Sequence, residues 1–227
     1  MMNGFGFQRT PVVLNLLIIN ALVYFAQAAL SNGNEGWVYD YGALHHYRSE
    51  DFRIYQIFTS MFMHGGFFHL FFNMFALWMF GSAMETYWGS KRFITFYLIC
   101  GVGAGLTQLA NYAFDYADID RLELLSHEYD AYQDLLRLNV TVGASGAIMG
   151  VLAAYGFLFP NTRMFIMPIP FPIKAKYAIM GIIALDVFGG ISKVPGDNIA
   201  HFAHVGGALV GLAIAYYWHR NQNRRSF

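Results

Sequence analysis

The sequence predicts an all-α, polytopic membrane protein: a bundle of six transmembrane helices with both termini cytoplasmic. Three observations predict it. The first is composition, since 56% of the 227 residues are apolar and only 12% charged, about half the charge of an ordinary soluble domain. The second is a series of six long apolar runs. The third is an uneven division of Lys and Arg among the connections between those runs. The 14 basic and 14 acidic residues cancel, which argues against nucleic acid as a partner. The 22 Phe and 15 Tyr argue against disorder, and a single Cys100 can form no intrachain disulfide.

In chain order the runs are 12–30, 67–84, 93–114, 144–159, 177–190 and 199–218. At 1.5 Å per residue, the first three and the last can cross about 30 Å of hydrocarbon. The fourth stops early at Pro160, and the fifth follows an apolar stretch broken by Pro168, Pro170 and Pro172, which reads as interfacial. No repeat or separate soluble part interrupts the chain, so 1–227 reads as one domain. The first run has a rival reading: Arg9, the run itself and Ala26-Gln27-Ala28 resemble a secretory signal with its cleavage site. Its length, and Asn15 and Asn20 within it, favour a retained span.

Orientation follows from the cations. With the N-terminus inside, the inner side holds Arg9, Lys91, Arg92, Arg163, Lys174, Lys176, Arg220, Arg224 and Arg225, nine in all. The outer side holds five, Arg48, Arg53, Arg121, Arg137 and Lys193, spread over longer loops. Of the acids, Glu85 falls inside and Asp186 within the fifth run, and the other twelve fall outside. The outer loop 115–142 spaces Leu122, Leu125, Tyr129, Tyr132 and Leu136 as a helix would. It reads as an amphipathic helix on the outer surface, with a substrate-recognition element as the alternative.

Polar side chains are costly in hydrocarbon and mark function by default. His69 and Asn73 share one helical face of the second run. Gly143-Ala144-Ser145-Gly146 opens the fourth, and His204 lies in the sixth with His201 one turn earlier. All three runs pass from outside to inside, which puts His204 about 8 Å and Asn73 about 9 Å into their helices. Ser145 at a helix start sits among N–H groups without intrahelical partners, a setting that favours a developing oxyanion. Gly143 and Gly146 permit a tight turn and close approach. Gly207 and Gly211 let the sixth helix pack closely on a neighbour. If that neighbour is the fourth helix, with Gly146 and Gly150, the contact carries His204 to Ser145. His64 and His201 read as structural, and Asp186 as a solvated helix end.

His64-Gly-Gly-Phe-Phe-His69-Leu-Phe-Phe-Asn73, Gly143-Ala-Ser145-Gly146 and Ala203-His204-Val-Gly-Gly207, in that order on runs two, four and six, resemble the rhomboid intramembrane serine proteases. Glu85, ending Gly81-Ser-Ala-Met-Glu85, matches as well, and the resemblance covers about residues 10–218. It implies a six-helix rhomboid-like bundle in the lipid bilayer that cleaves single-span transmembrane protein substrates through a Ser–His dyad without an acid. Ser145 would be the nucleophile and His204 the base. His69, Asn73 and the Ser145 N–H would form the oxyanion hole, with no cofactor or metal. There are departures. The Trp-Arg pair of many relatives falls at Tyr55-Gln56, and the aromatic residue four positions after the serine is Met149. With no carboxylate in view, packing and Met149 would orient the histidine.

A bacterial inner (cell) membrane, with the site open to the outer, periplasmic or extracellular, side, fits the compact six-span plan. Two other classes stay open. One is a non-enzymatic binder or transporter using the polar residues for passage. The other is a metal-dependent membrane hydrolase built on His64, His69, His201 and His204, although zinc needs three or four converging ligands and no His-Glu-x-x-His stretch occurs.

Overall fold

Helices formed by the apolar runs account for most of the structure, a computed structural model that describes residues 10–31, 36–115, 129–165, 170–192 and 199–224. Helix α1 spans Pro11–Ser31. Proline at its first position has its φ preset for a helix and gives up an N–H that no helical carbonyl would accept. The next two amides find a partner far away in sequence: Glu85 accepts from Val12 N–H at 3.0 Å and Val13 N–H at 2.8 Å. Ser90 Oγ donates to the same carboxylate at 2.6 Å.

Glu85 is 2% exposed, so its charge is held by donors and by the positive end of α1 rather than by water. Glu85→Ala leaves two helix-end amides and a hydroxyl unpaired in the interior. We expect it to cost about 2–4 kcal/mol, read as a lowered thermal midpoint in detergent. A midpoint within a degree of wild type would contradict that role. Further along α1, Gln27 clasps the backbone of His64, its Oε1 accepting from His64 N–H at 3.1 Å and its Nε2 donating to His64 O at 3.4 Å. Both ends of α1 are thus tied into the fold.

Two short helices follow, α2 (Gly36–Gly42) and α3 (Gln56–Thr59). Next, Phe67–Ala76, a π-turn at Leu77–Gly81 and Ser82–Trp88 run on as one helix, α4. It ends at Gly89, whose φ of +81° suits glycine alone, and α5 (Ser90–Asp115) starts at once. After α6 (Tyr129–Leu138) come α7 (Ser145–Leu158), α8 (Ala175–Ser192) and α9 (His201–Arg224). Between α7 and α8 a two-residue antiparallel pairing, β1 (Arg163–Met164) with β2 (Ile173–Lys174), ties the ends of the proline-rich segment; Pro168 itself lies outside the described residues.

Among the described residues, four helices are long and apolar enough to cross a membrane: Pro11–Leu30, Phe67–Trp88, Ser90–Phe114 and Ala175–Ser192. The second apolar run, 67–84, lies within a longer helix that continues to Trp88 and takes in Glu85.

Helix α7 sits in the middle and is buried along ten of its fourteen residues. Glycines set its contact with α9. A Cβ on Gly207 would run into the Gly146 carbonyl, and one on Gly211 would lie 2.5 Å from Gly150 Cα. Such backbone-on-backbone approach is how membrane helices pack when apolar burial gives no driving force. Phe67, Phe68, Phe71 and Phe75 of α4 are exposed, as a lipid-facing surface requires, while Phe80 packs in the core. Helix α6 docks on protein as well: Tyr132 and Leu136 are buried, and Arg137 pairs with Asp51 at 2.8 Å and Glu50 at 3.2 Å. Leu122 and Leu125, the other half of that helical spacing, lie outside the described residues.

Candidate active site

Ser145 is the first residue of α7, placed there by Gly143 and Pro160 at the two ends of that segment. Gly143 has a φ of +131°, which L side chains rarely adopt, and its N–H donates to Ser60 O at 2.9 Å. The first amide of α7 with a helical partner is Ile148, bonded to Ala144 O at 3.0 Å; those of Ser145, Gly146 and Ala147 precede it and have none of that kind. His204 lies on the first turn of α9. The Gly146–Gly207 contact sets the two helices close enough for His204 Nε2 to meet Ser145 Oγ at 2.7 Å.

Asp186 requires a correction. It is not a solvated helix end: α8 continues to Ser192, and Asp186 faces inward at 7% exposure. Its Oδ1 lies 2.9 Å from His204 Nδ1 and 2.8 Å from His201 Nδ1. An ionised carboxylate only accepts, so both imidazoles donate from Nδ1 and His204 Nε2 is left with a lone pair for the serine hydroxyl. The expectation that no carboxylate orients this histidine therefore fails. Met149, expected to support it, is buried in the core around α7.

His69 and Asn73, one turn apart on α4, face the serine. His69 Nδ1 accepts from Gly65 N–H at 3.3 Å, which in a neutral ring puts the proton on Nε2. A Cβ at Gly143 would lie 2.8 Å from His69 Nε2 and 3.4 Å from Ser145 Oγ. Glycine there keeps the space between the two open. Asn73 is 7% exposed, and its Nδ2 is buried without a hydrogen-bond partner among the described residues. Such a donor is costly unless a ligand completes it.

A cleft of about 610 Å³ is lined by His69, Asn73, Val142, Ser145 and His204 among others. Beside Ser145 a second cavity of about 20 Å³, walled by Gly101, Ala104, Gly146 and Ala147, has room for one water-sized group. His64 stands behind His69, ring centroids 5.1 Å apart. Burial, together with the charge of His69, pushes its imidazole down to about 4, so it stays neutral there. Among the described residues no three His, Cys, Asp or Glu are arranged to hold a metal ion.

The loop that precedes α4 is tied together by Gln56, the second of the two residues at which the Trp-Arg pair falls. Gln56 is fully buried; its Nε2 donates to Asp40 O at 2.9 Å and Asp51 O at 2.8 Å, and its Oε1 accepts from Arg53 N–H at 3.0 Å. A neutral amide thus ties the loop together.

Fold and cleft together define a helical membrane protein that pairs a serine with a histidine among polar groups. A family model for the rhomboid domain matches residues 51–221. The chain belongs to the rhomboid family. It is 28% identical over 223 residues to the rhomboid protease AarA of Providencia stuartii, covering 93% of this chain and 74% of that protein. The mitochondrial rhomboid protein 1 of Saccharomyces cerevisiae is 29% identical over 161 residues. The mitochondrial presenilin-associated rhomboid-like protein of Homo sapiens is 34% identical over the same length. The chain spans only 41% and 37% of those two relatives.

Proposed function

We propose that this chain is an intramembrane serine endopeptidase that hydrolyses single-span membrane proteins near the outer end of the span, without a cofactor. The observation that carries the reading is the 2.7 Å approach of His204 Nε2 to Ser145 Oγ. It occurs at a cleft that also presents the unpartnered Asn73 Nδ2. A serine hydroxyl is a weak nucleophile unless a base within hydrogen-bond reach takes its proton.

Ser145 Oγ attacks the scissile carbonyl as its proton passes to His204 Nε2. The oxyanion that forms takes hydrogen bonds from His69 Nε2–H, Asn73 Nδ2–H and the Ser145 amide. His204 then protonates the departing amine, and a water activated by the same nitrogen releases the acyl group. Gly143, Gly146 and Gly207 serve by letting backbones approach, and Met149 by filling the core behind the serine. The small cavity beside Ser145 favours a small residue at the cleaved position, and a substrate helix must unwind to enter the cleft.

In this reading residues 1–227 form one domain of six spans with both termini cytoplasmic. The membrane is that of a bacterial cell, and the cleft opens outward; the nine-to-five division of Lys and Arg supports the orientation. The 93% coverage of this chain by its Providencia relative supports the setting.

The test is cleavage of a purified single-span reporter, with the cut mapped by mass spectrometry. His69→Ala and Asn73→Ala should each lower turnover, by up to about 10²–10³-fold for one lost oxyanion donor, with the cut in the outer half of the span. Unchanged rates in both variants would remove these residues from the site.

A further inference from the structure

We infer that Asp186, gripped by His201, is a positioning residue that fixes the tautomer and ring orientation of His204, so that the site works as a Ser145–His204–Asp186 triad. The inference rests on the proposed protease reading and deepens it.

Three observations carry it. The first is contact: Asp186 Oδ1 lies 2.9 Å from His204 Nδ1, while His204 Nε2 lies 2.7 Å from Ser145 Oγ. The three groups stand in line on three helices. The second is burial, since the Asp186 and His204 side chains are 9% and 17% exposed. Competing water is scarce there, and a carboxylate held that deep needs donors. The third is provision for the second donor. Gly189, three residues after Asp186 and on the same face of α8, is where any Cβ would lie 2.5 Å from the His201 ring. The missing side chain lets His201 reach Asp186 Oδ1 at 2.8 Å.

The chemistry follows from proton counting. Two Nδ1–H donors converge on one carboxylate oxygen, which fixes where that oxygen points. With its proton on Nδ1, His204 presents a lone pair at Nε2, the only form that can accept the serine proton. When Ser145 attacks, that proton joins Nε2 and His204 becomes an imidazolium facing a carboxylate. Asp186 keeps its charge throughout and takes no proton. The proton then leaves from Nε2 with the amine.

Asp186→Asn keeps the shape but replaces an acceptor oxygen by a donor, which favours the tautomer with its proton on Nε2. In a soluble serine protease the equivalent change lowers kcat about 10⁴-fold. Here we expect a loss of at least about 10²-fold in kcat, with KM within about two-fold, because Asp186 is not among the residues that line the cleft. Labelling of Ser145 by a fluorophosphonate should slow in parallel.

The tautomer can be read directly by ¹⁵N NMR of histidine-labelled protein, with His204 assigned by its loss in His204→Ala. Nδ1 should carry the proton in the wild type and lose that preference in Asp186→Asn. A wild-type His204 protonated at Nε2 would overturn the inference without any variant at position 186. So would Asp186→Asn turning over within about three-fold of wild type, or a loss carried by KM. Those results leave the protease reading standing as long as wild-type Ser145 is labelled. A folded wild type that takes no label would instead defeat the protease reading itself.

Discussion

Ser145→Ala is expected to abolish cleavage, with turnover falling on the order of 10⁵–10⁶-fold, as when a hydrolase loses its attacking oxygen. His204→Ala should come close to the same floor, because the two residues act as one unit and their losses do not add. Ser145→Ala removes no structural contact of consequence. Ser145 is the first residue of α7, where the helix is held by Gly143 N–H on Ser60 O and Ile148 N–H on Ala144 O. Ser145→Ala should therefore keep the wild-type thermal midpoint within a few degrees, whereas His204→Ala leaves His201 alone to hold Asp186 and should lower it. Measuring midpoint and turnover on the same preparation separates a lost nucleophile from a lost fold. Residual cleavage within ten-fold of wild type in folded Ser145→Ala would remove the serine from the reaction.

Gly207→Leu is expected to be the most damaging change away from the chemistry. The Cβ alone would run into the Gly146 carbonyl, which belongs to the backbone of a helix buried on most sides and has nowhere to go. Overpacking of this kind costs about 1–3 kcal/mol and occasionally more, and it acts by prising α9 from α7. The same displacement carries His204 away from Ser145, so turnover should fall even in the fraction that remains folded. Gly207→Ala should show the effect in milder form. Gly181 is the natural control, because a Cβ there meets nothing within 4 Å, and Gly181→Ala should leave both midpoint and turnover unchanged. A Gly207→Leu protein with wild-type midpoint would mean that the two helices are not packed as described.

Much of the site can be read from the sequence because its parts obey short-range rules. His69 and Asn73 are one turn apart and must share a face. Ser145 follows a glycine and precedes an apolar helix that stops at Pro160. The Gly-x-x-x-Gly step of the sixth run is matched by Gly146 and Gly150 in the fourth, and that pairing is what brings serine and histidine together. Asp186 was misread because its role depends on the rotational phase of α8 against α9, which no local pattern fixes. The two are separate helices, α8 ending at Ser192 and α9 starting at His201, so no single periodicity links their phases. One signal was present: Gly189, three residues on, marks the same face as a place of close approach. The partner of Glu85, the start of α1, is out of reach of local pattern for a related reason, since Val12 and Val13 offer only backbone amides more than seventy residues away. Gln56 could not have been found as a loop anchor from composition, since its partners Asp40 and Asp51 contribute only backbone carbonyls.

Whether Ser145 is an activated nucleophile can be read from covalent labelling. Detergent-solubilised protein is treated with a fluorophosphonate probe, digested, and the modified peptide located by mass spectrometry. An ordinary serine at the start of a packing helix is a poor nucleophile and takes no label. A serine whose hydroxyl donates to a histidine held by a carboxylate should be labelled at Oγ. A single adduct on Ser145 is expected, absent from Ser145→Ala and greatly reduced in His204→Ala. Labelling that persists in Ser145→Ala, or folded wild-type protein that takes no label, would contradict it.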